Sequence, residues 1–124
     1  MENYPFYKSL LDQDTSAVVI CDLDHRIIYM NPVACRHYAR YGGAELLGKN
    51  LLNCHGDRSV EMIRKVVSWF GASPANNRVH TFYNEKENKD VYMIALRDDS
   101  GALIGYYEKH EYRDRDMTPF YQFS

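Results

Sequence analysis

The chain has 124 residues, 45% of them hydrophobic and 26% charged, enough for one domain with its own core and too apolar for a disordered segment. A formal net charge of −2 with no basic block argues against a nucleic-acid surface and against attachment to an anionic membrane. No apolar run approaches the about 20 residues of a spanning helix, and the start, MENYPFYKSLLDQD, lacks the apolar centre of a secretory leader, so a cytoplasmic protein is expected.

In chain order, residues 3–14 read as a short helix with Phe6, Tyr7, Leu10 and Leu11 on one side, either a cover for the domain's own sheet or a dimer contact. Ala17 to Cys21 is apolar and β-branched, Asp22-Leu23-Asp24-His25 is polar enough to turn, and Arg26 to Met30 is a second strand. Asn31 can cap the helix that follows, and Pro32 suits its first position because that N–H would be unpaired anyway. This helix is expected to run through His37 and Tyr41 to Gly42-Gly43, and Ala44 to Leu47 forms one more turn stopped by Gly48. A longer helix, capped by Asp57 or Ser59, reaches about Phe70, with Ile63, Val66, Val67 and Phe70 on one face and Met62, Val66 and Trp69 as an adjacent stripe. After the loop 71–77 come a strand at 78–84, a charged turn at 85–89 and a hairpin turning at Asp98-Asp99-Ser100-Gly101. The expected strands are 17–22, 26–30, 78–84, 90–98 and 102–112, and no internal repeat is visible.

Five segments in this order resemble the PAS sensor domain: Val18-Val19-Ile20-Cys21-Asp22, Ile27-Ile28-Tyr29-Met30-Asn31-Pro32-Val33-Ala34, Glu45-Leu46-Leu47-Gly48-Lys49, Arg97-Asp98-Asp99-Ser100-Gly101 and Ile104-Gly105-Tyr106. The resemblance implies an α+β fold, a PAS-like five-stranded antiparallel sheet with helices packed over one face. It implies a flanking helix at 1–14, a PAS domain at 15–113 and a C-terminal tail at 114–124. It also implies a sensory or signalling role, self-association as a homodimer and a signalling partner protein.

The chemistry of the residues points away from catalysis. There is no G-x-S-x-G, no phosphate-cradling glycine loop, no HExxH and no paired-carboxylate motif, so no enzyme is expected. Three cysteines, Cys21, Cys35 and Cys54, are odd in number and form no CxxC pair, which suits reduced thiols. The light-sensing PAS branch carries Asn-Cys-Arg-Phe-Leu-Gln; here Asn53-Cys54 is followed by His55-Gly56-Asp57, and the last strand, Gly105-Tyr106-Tyr107-Glu108-Lys109, lacks the flavin-sensing Gln. Haem PAS domains hang iron on a His in or near the long helix, which makes His55 a candidate axial ligand, with His80 on the next strand a second imidazole for the same cavity. The Asn-Cys-His segment with Ser59 also resembles a bacterial PAS subgroup with Cys-His-Pro-Pro-x-Ser, and marks Cys54–Ser59 as the lip of a cavity. The resemblance therefore implies a small-molecule site between sheet and helices, lined by Cys54, His55, Met62, Ile63, Val66, Phe82, Met93, Ala95 and Tyr106. Neither a cofactor nor a metal is assigned. The alternatives are a haem sensor and a ligand-free interaction module.

Overall fold

The computed structural model describes residues 2–123. It begins with helix α1 (Tyr4–Asp12), followed by strands β1 (Val19–Asp22) and β2 (Ile27–Met30) and helix α2 (Pro32–His37). Three short 3-10 turns at Ala39–Tyr41, Gly43–Leu46 and Leu51–Cys54 lead into helix α3 (Asp57–Ala72). Strands β3 (Arg78–Asn84), β4 (Lys89–Arg97) and β5 (Leu103–Tyr112) complete the fold. All strand pairs are antiparallel and the sheet order is β2-β1-β5-β4-β3, so the last strand lies in the middle and joins the two hairpins. This is the five-stranded α+β architecture that the sequence implies, and its strands begin and end within two residues of the expected bounds.

One face of the sheet carries the core. Cys21 and Ile27 from the first hairpin, Met93 and Tyr106 from the second, and Met30 pack against Ala34, Leu46, Val66 and Phe70 from the helical side. Helix α3 contributes Val66 and Phe70, one turn apart on its inner side, while Met62 and Trp69 of the adjacent stripe remain largely exposed. The opposite face of the sheet is polar at one end. There Asp90 meets His80 and Arg113, and Glu111 meets Arg78, Lys109 and Arg113.

Two helix boundaries differ from expectation. Helix α2 closes at His37, and the chain continues as 3-10 turns broken by Gly42 and Gly43, both at positive φ (122° and 54°). The apolar positions 38 and 41 that suggested a continuous helix belong to this tighter path. Helix α3 starts one residue earlier than a capping Asp57 allows: its N-cap is Gly56, which has no side chain to cap with, and Asp57 sits in the first turn, where its carboxylate favours the positive helix end. The other end of α3 is held from the sheet. Arg97 donates from Nη2 to the carbonyls of Phe70 (2.7 Å), Ser73 and Asn76 (3.1 Å each), and from Nε to Asn77 Oδ1 (2.7 Å).

Asn31 fastens the N-terminal part together. It is fully buried, and all four of its side-chain valences are used. Oδ1 accepts from Ala34 N as the cap of α2 and from Val18 N, each at 2.9 Å; Nδ2 donates to Leu11 O (3.0 Å) and Ser16 O (2.9 Å). The last turn of α1, the linker and the start of α2 thus converge on one amide. A second contact holds α1: the Tyr29 hydroxyl donates to the Asp12 carboxylate.

Candidate functional site

Between the core face of the sheet and the helical side lies a cavity of about 270 Å³. Its floor is sheet: Val19 and Cys21 from β1, Ile27 and Met30 from β2, Met93 from β4, and Tyr106, Glu108 and His110 from β5. Strand alternation explains the last three, since residues two apart share a face. Its roof is Tyr41, Leu46, Leu51 and Cys54 from the 3-10 segments, Tyr38 and His55 that flank them, and Ile63 from α3. Ala17 closes one side. The wall is mostly apolar with a few polar groups, the usual make-up of a small-molecule site.

The polar groups fall into two sets. At one end Tyr106 is paired directly across from Cys21 in the β1–β5 ladder, and its hydroxyl lies 2.8 Å from His25 Nδ1. His25 reaches it from the hairpin turn, where its backbone takes a left-handed φ of 63°. Burial pushes the Cys21 thiol up to about 11 and moves Tyr106 well above the ordinary phenol range, so both are neutral donors at physiological pH. Burial, followed by the nearby Arg64, lowers the pKa of His25. At the other end His110 Nε2 lies 3.1 Å from Glu108 Oε1. Tyr38 stands over this end, its phenol pushed up to about 12 by burial and then by the Glu108 charge.

Of the nine residues that the sequence nominated, Cys54, His55, Ile63, Met93 and Tyr106 line the cavity. Val66 and Ala95 are core-packing residues behind its wall. Met62 is 52% exposed, because it falls on the solvent side of α3. Phe82 follows a bulge in edge strand β3 and is 59% exposed. His80 is corrected outright: it lies on the far face of the sheet, stacked on Tyr92 and paired with Asp90 at 2.9 Å, away from the cavity. Cys54 and His55 form the exposed rim, whereas Gly56 to Ser59 turn into α3 and line nothing. The sequence reading missed Tyr38, Glu108 and His110. The period-2 pattern Tyr106-x-Glu108-x-His110 was the available signal, because it places both polar side chains on the face of a nominated residue.

Among the described residues, no three His, Cys, Asp or Glu side chains gather as a metal site, and no helix is long and apolar enough to cross a membrane.

Comparison with known proteins adds the following. The PAS domain family profile matches residues 15–108. The C-terminal domain of a Streptococcus mutans protein superposes with a TM-score of 0.66 at 20% identity, covering 86% of this chain and 81% of that one. An RNA-binding light-oxygen-voltage receptor gives 0.64 at 18% identity, covering 90% of this chain but only 33% of the receptor. The PAS domain of a Colwellia psychrerythraea protein gives 0.63 at 16% identity, covering 88% and 95%. At these identities the likeness concerns the fold alone. No curated protein sequence matches significantly. The profile covers most of the sequence and the sheet has the order and connections described above: the chain belongs to the PAS domain family, generally sensory and signalling modules.

Proposed function

We propose that this PAS domain is a non-catalytic cytoplasmic sensor that binds a small molecule in the cavity between sheet and helices and passes the binding state to a partner through its N-terminal helix. The observation that carries this reading is the cavity itself. About 270 Å³ of space is retained at the centre of a small domain, against a wall of Ile27, Met30, Ile63 and Met93 that could have packed together. Strand β2 links cavity to surface. Ile27 and Met30 line the cavity, and Tyr29 between them holds Asp12 of α1 on the other side.

The exposed side of α1 supports self-association. Phe6, Tyr7 and Leu10 are all more than half exposed, a stripe a lone domain leaves in water and a homodimer covers. In this division residues 1–14 are the flanking helix, 15–113 the sensor and 114–124 the tail.

Haem is a poor fit. The cavity lies below the about 300–1,000 Å³ that drug-sized ligands occupy, and His55 sits on the exposed rim. The flavin reading loses support for the same reason of size.

Native mass spectrometry of protein purified from cells tests the reading, with Ile63→Trp as the companion variant that fills the cavity. A retained molecule of low mass in the parent and none in the variant is the expected result. Apo protein in both, with Ile63→Trp more stable than the parent, would identify a module that works without a ligand.

A further inference from the structure

The polar end of the cavity indicates what kind of ligand it takes, an inference that rests on the ligand-binding reading above. Glu108 is the sole Asp or Glu among the lining residues, and no Lys or Arg lines the cavity. Its partner His110 has a side chain only 8% exposed. A carboxylate only accepts hydrogen bonds, so His110 Nε2 carries the proton directed at Glu108. Nδ1 is buried and has no hydrogen-bond partner. This end of the cavity therefore offers the free lone pairs of the Glu108 carboxylate and an unpartnered ring nitrogen, while the ring N–H that faces Glu108 is already used. Beside it is the aromatic ring of Tyr38, whose face attracts cations, whereas the Tyr41 ring already has the Arg40 guanidinium 5.0 Å from its centroid. The rest of the wall is apolar.

We propose that the cavity selects a small apolar amine, with its ammonium group held at Glu108 beside the Tyr38 ring and its apolar body among Met30, Ile63 and Met93. The ammonium group supplies the donors that the acceptor wall lacks. An anion of the same size meets the Glu108 carboxylate with no compensating cation on the wall and is rejected. The size follows from the volume: about nine non-hydrogen atoms, taking each as roughly one water's share of liquid volume. An arylethylamine has that size.

The test is a titration of the full chain, followed by amide NMR shifts, with phenethylamine, 2-phenylethanol, propylbenzene and phenylacetate as probes of nearly constant shape. Phenethylamine is expected to shift the amides of residues around the cavity and to bind about tenfold more tightly than propylbenzene, as a charge-assisted hydrogen bond implies. The alcohol falls between them, and phenylacetate does not bind. Glu108→Gln, at a half-exposed position where the isosteric amide is tolerated, removes the amine's advantage and leaves propylbenzene binding unchanged. That unchanged binding also reports that the variant is folded. If propylbenzene or phenylacetate binds as well as the amine, or if Glu108→Gln leaves the ranking intact, amine selection is overturned while the cavity still stands as a ligand site. If none of the four probes shifts a cavity residue, the amine proposal falls, and a molecule retained in native mass spectrometry would still uphold the ligand-binding reading on its own.

Discussion

Replacing Asn31 by Ala should cost far more than the loss of a helix cap. A lost N-cap costs about 0.5–2 kcal/mol. Here the same side chain makes four bonds, and only one of them caps α2. Alanine strands two buried N–H groups, of Val18 and Ala34, and the Ser16 carbonyl, while Leu11 O keeps its bond from Asp14 N. Each bond is worth about 1 kcal/mol net, and a buried group left unpaired costs about 1–3 kcal/mol. The Ser16 carbonyl lies where α1 meets the domain and regains water if α1 lifts away, so it counts at the low end, about 1 kcal/mol. The sum is about 3–7 kcal/mol, a large part of the about 5–15 kcal/mol that holds a domain together. Asn31→Ser separates the contributions: a serine hydroxyl can still accept from Ala34 N but cannot span to Leu11 and Ser16, so it should recover about 1 kcal/mol of the loss. Urea unfolding followed by circular dichroism gives both values, and hydrogen exchange at the amides of α1 reports whether the helix detaches first. A loss below 2 kcal/mol for Asn31→Ala, with α1 exchange unchanged, would refute the view that this residue fastens three segments together.

Four further outcomes follow from the geometry. Gly105→Ala puts a Cβ 2.2 Å from the Cys21 carbonyl oxygen, so β5 must move away from β1, with an expected loss of about 1–3 kcal/mol in thermal or urea unfolding. Arg97→Lys keeps the charge but loses the fork that bonds Asn77 Oδ1 through Nε and the Gly101 carbonyl through Nη1 while Nη2 holds the end of α3, and should cost about 1–3 kcal/mol with faster exchange in the last turn of α3. The pKa of His25 is lowered in the folded state, so the unfolded chain binds more protons as the pH falls below about 6.5, the ordinary value for histidine; stability should therefore drop through that window, and His25→Gln should flatten the drop. Thiol labelling of the native protein should run Cys54 first, then Cys35, with Cys21 last, since they are exposed, half-buried and buried respectively; an occupied cavity should slow Cys54, which lies on its rim.

The strand pattern was readable because each strand alternates against a single core. Val91-x-Met93-x-Ala95 and Tyr106 follow that rule, and their turn announces itself: Asp98 Oδ1 accepts from the amides of Ser100 and Ala102, while Gly101 takes a positive φ. Asn31-Pro32 was readable as a cap for the same local reason. What no local rule supplies is the reach of the Asn31 amide to Leu11 and Ser16, which depends on where α1 comes to rest. The length of α2 was misread because Tyr38 and Tyr41 keep a helical spacing, although the chain there winds as 3-10 turns and turns both residues towards the cavity.

The site was harder to read than the fold because helix and strand faces are legible only relative to a known neighbour. The apolar stripe of α3 is broad enough to admit Met62, and only the packed sheet shows that Ile63, Val66 and Phe70 face inward. In β3, His80 pairs with Tyr92 on the far face, whereas Phe82, after the bulge, pairs with Val91 on the core face but sits on the edge strand at 59% exposure, so neither ring belongs to the cavity wall. Glu108 and His110 were passed over for a different reason: a charged residue on a strand reads as solvent-facing. Yet they lie two and four residues beyond Tyr106, on the face it shares with the cavity, Glu108 half-exposed at the edge and His110 covered.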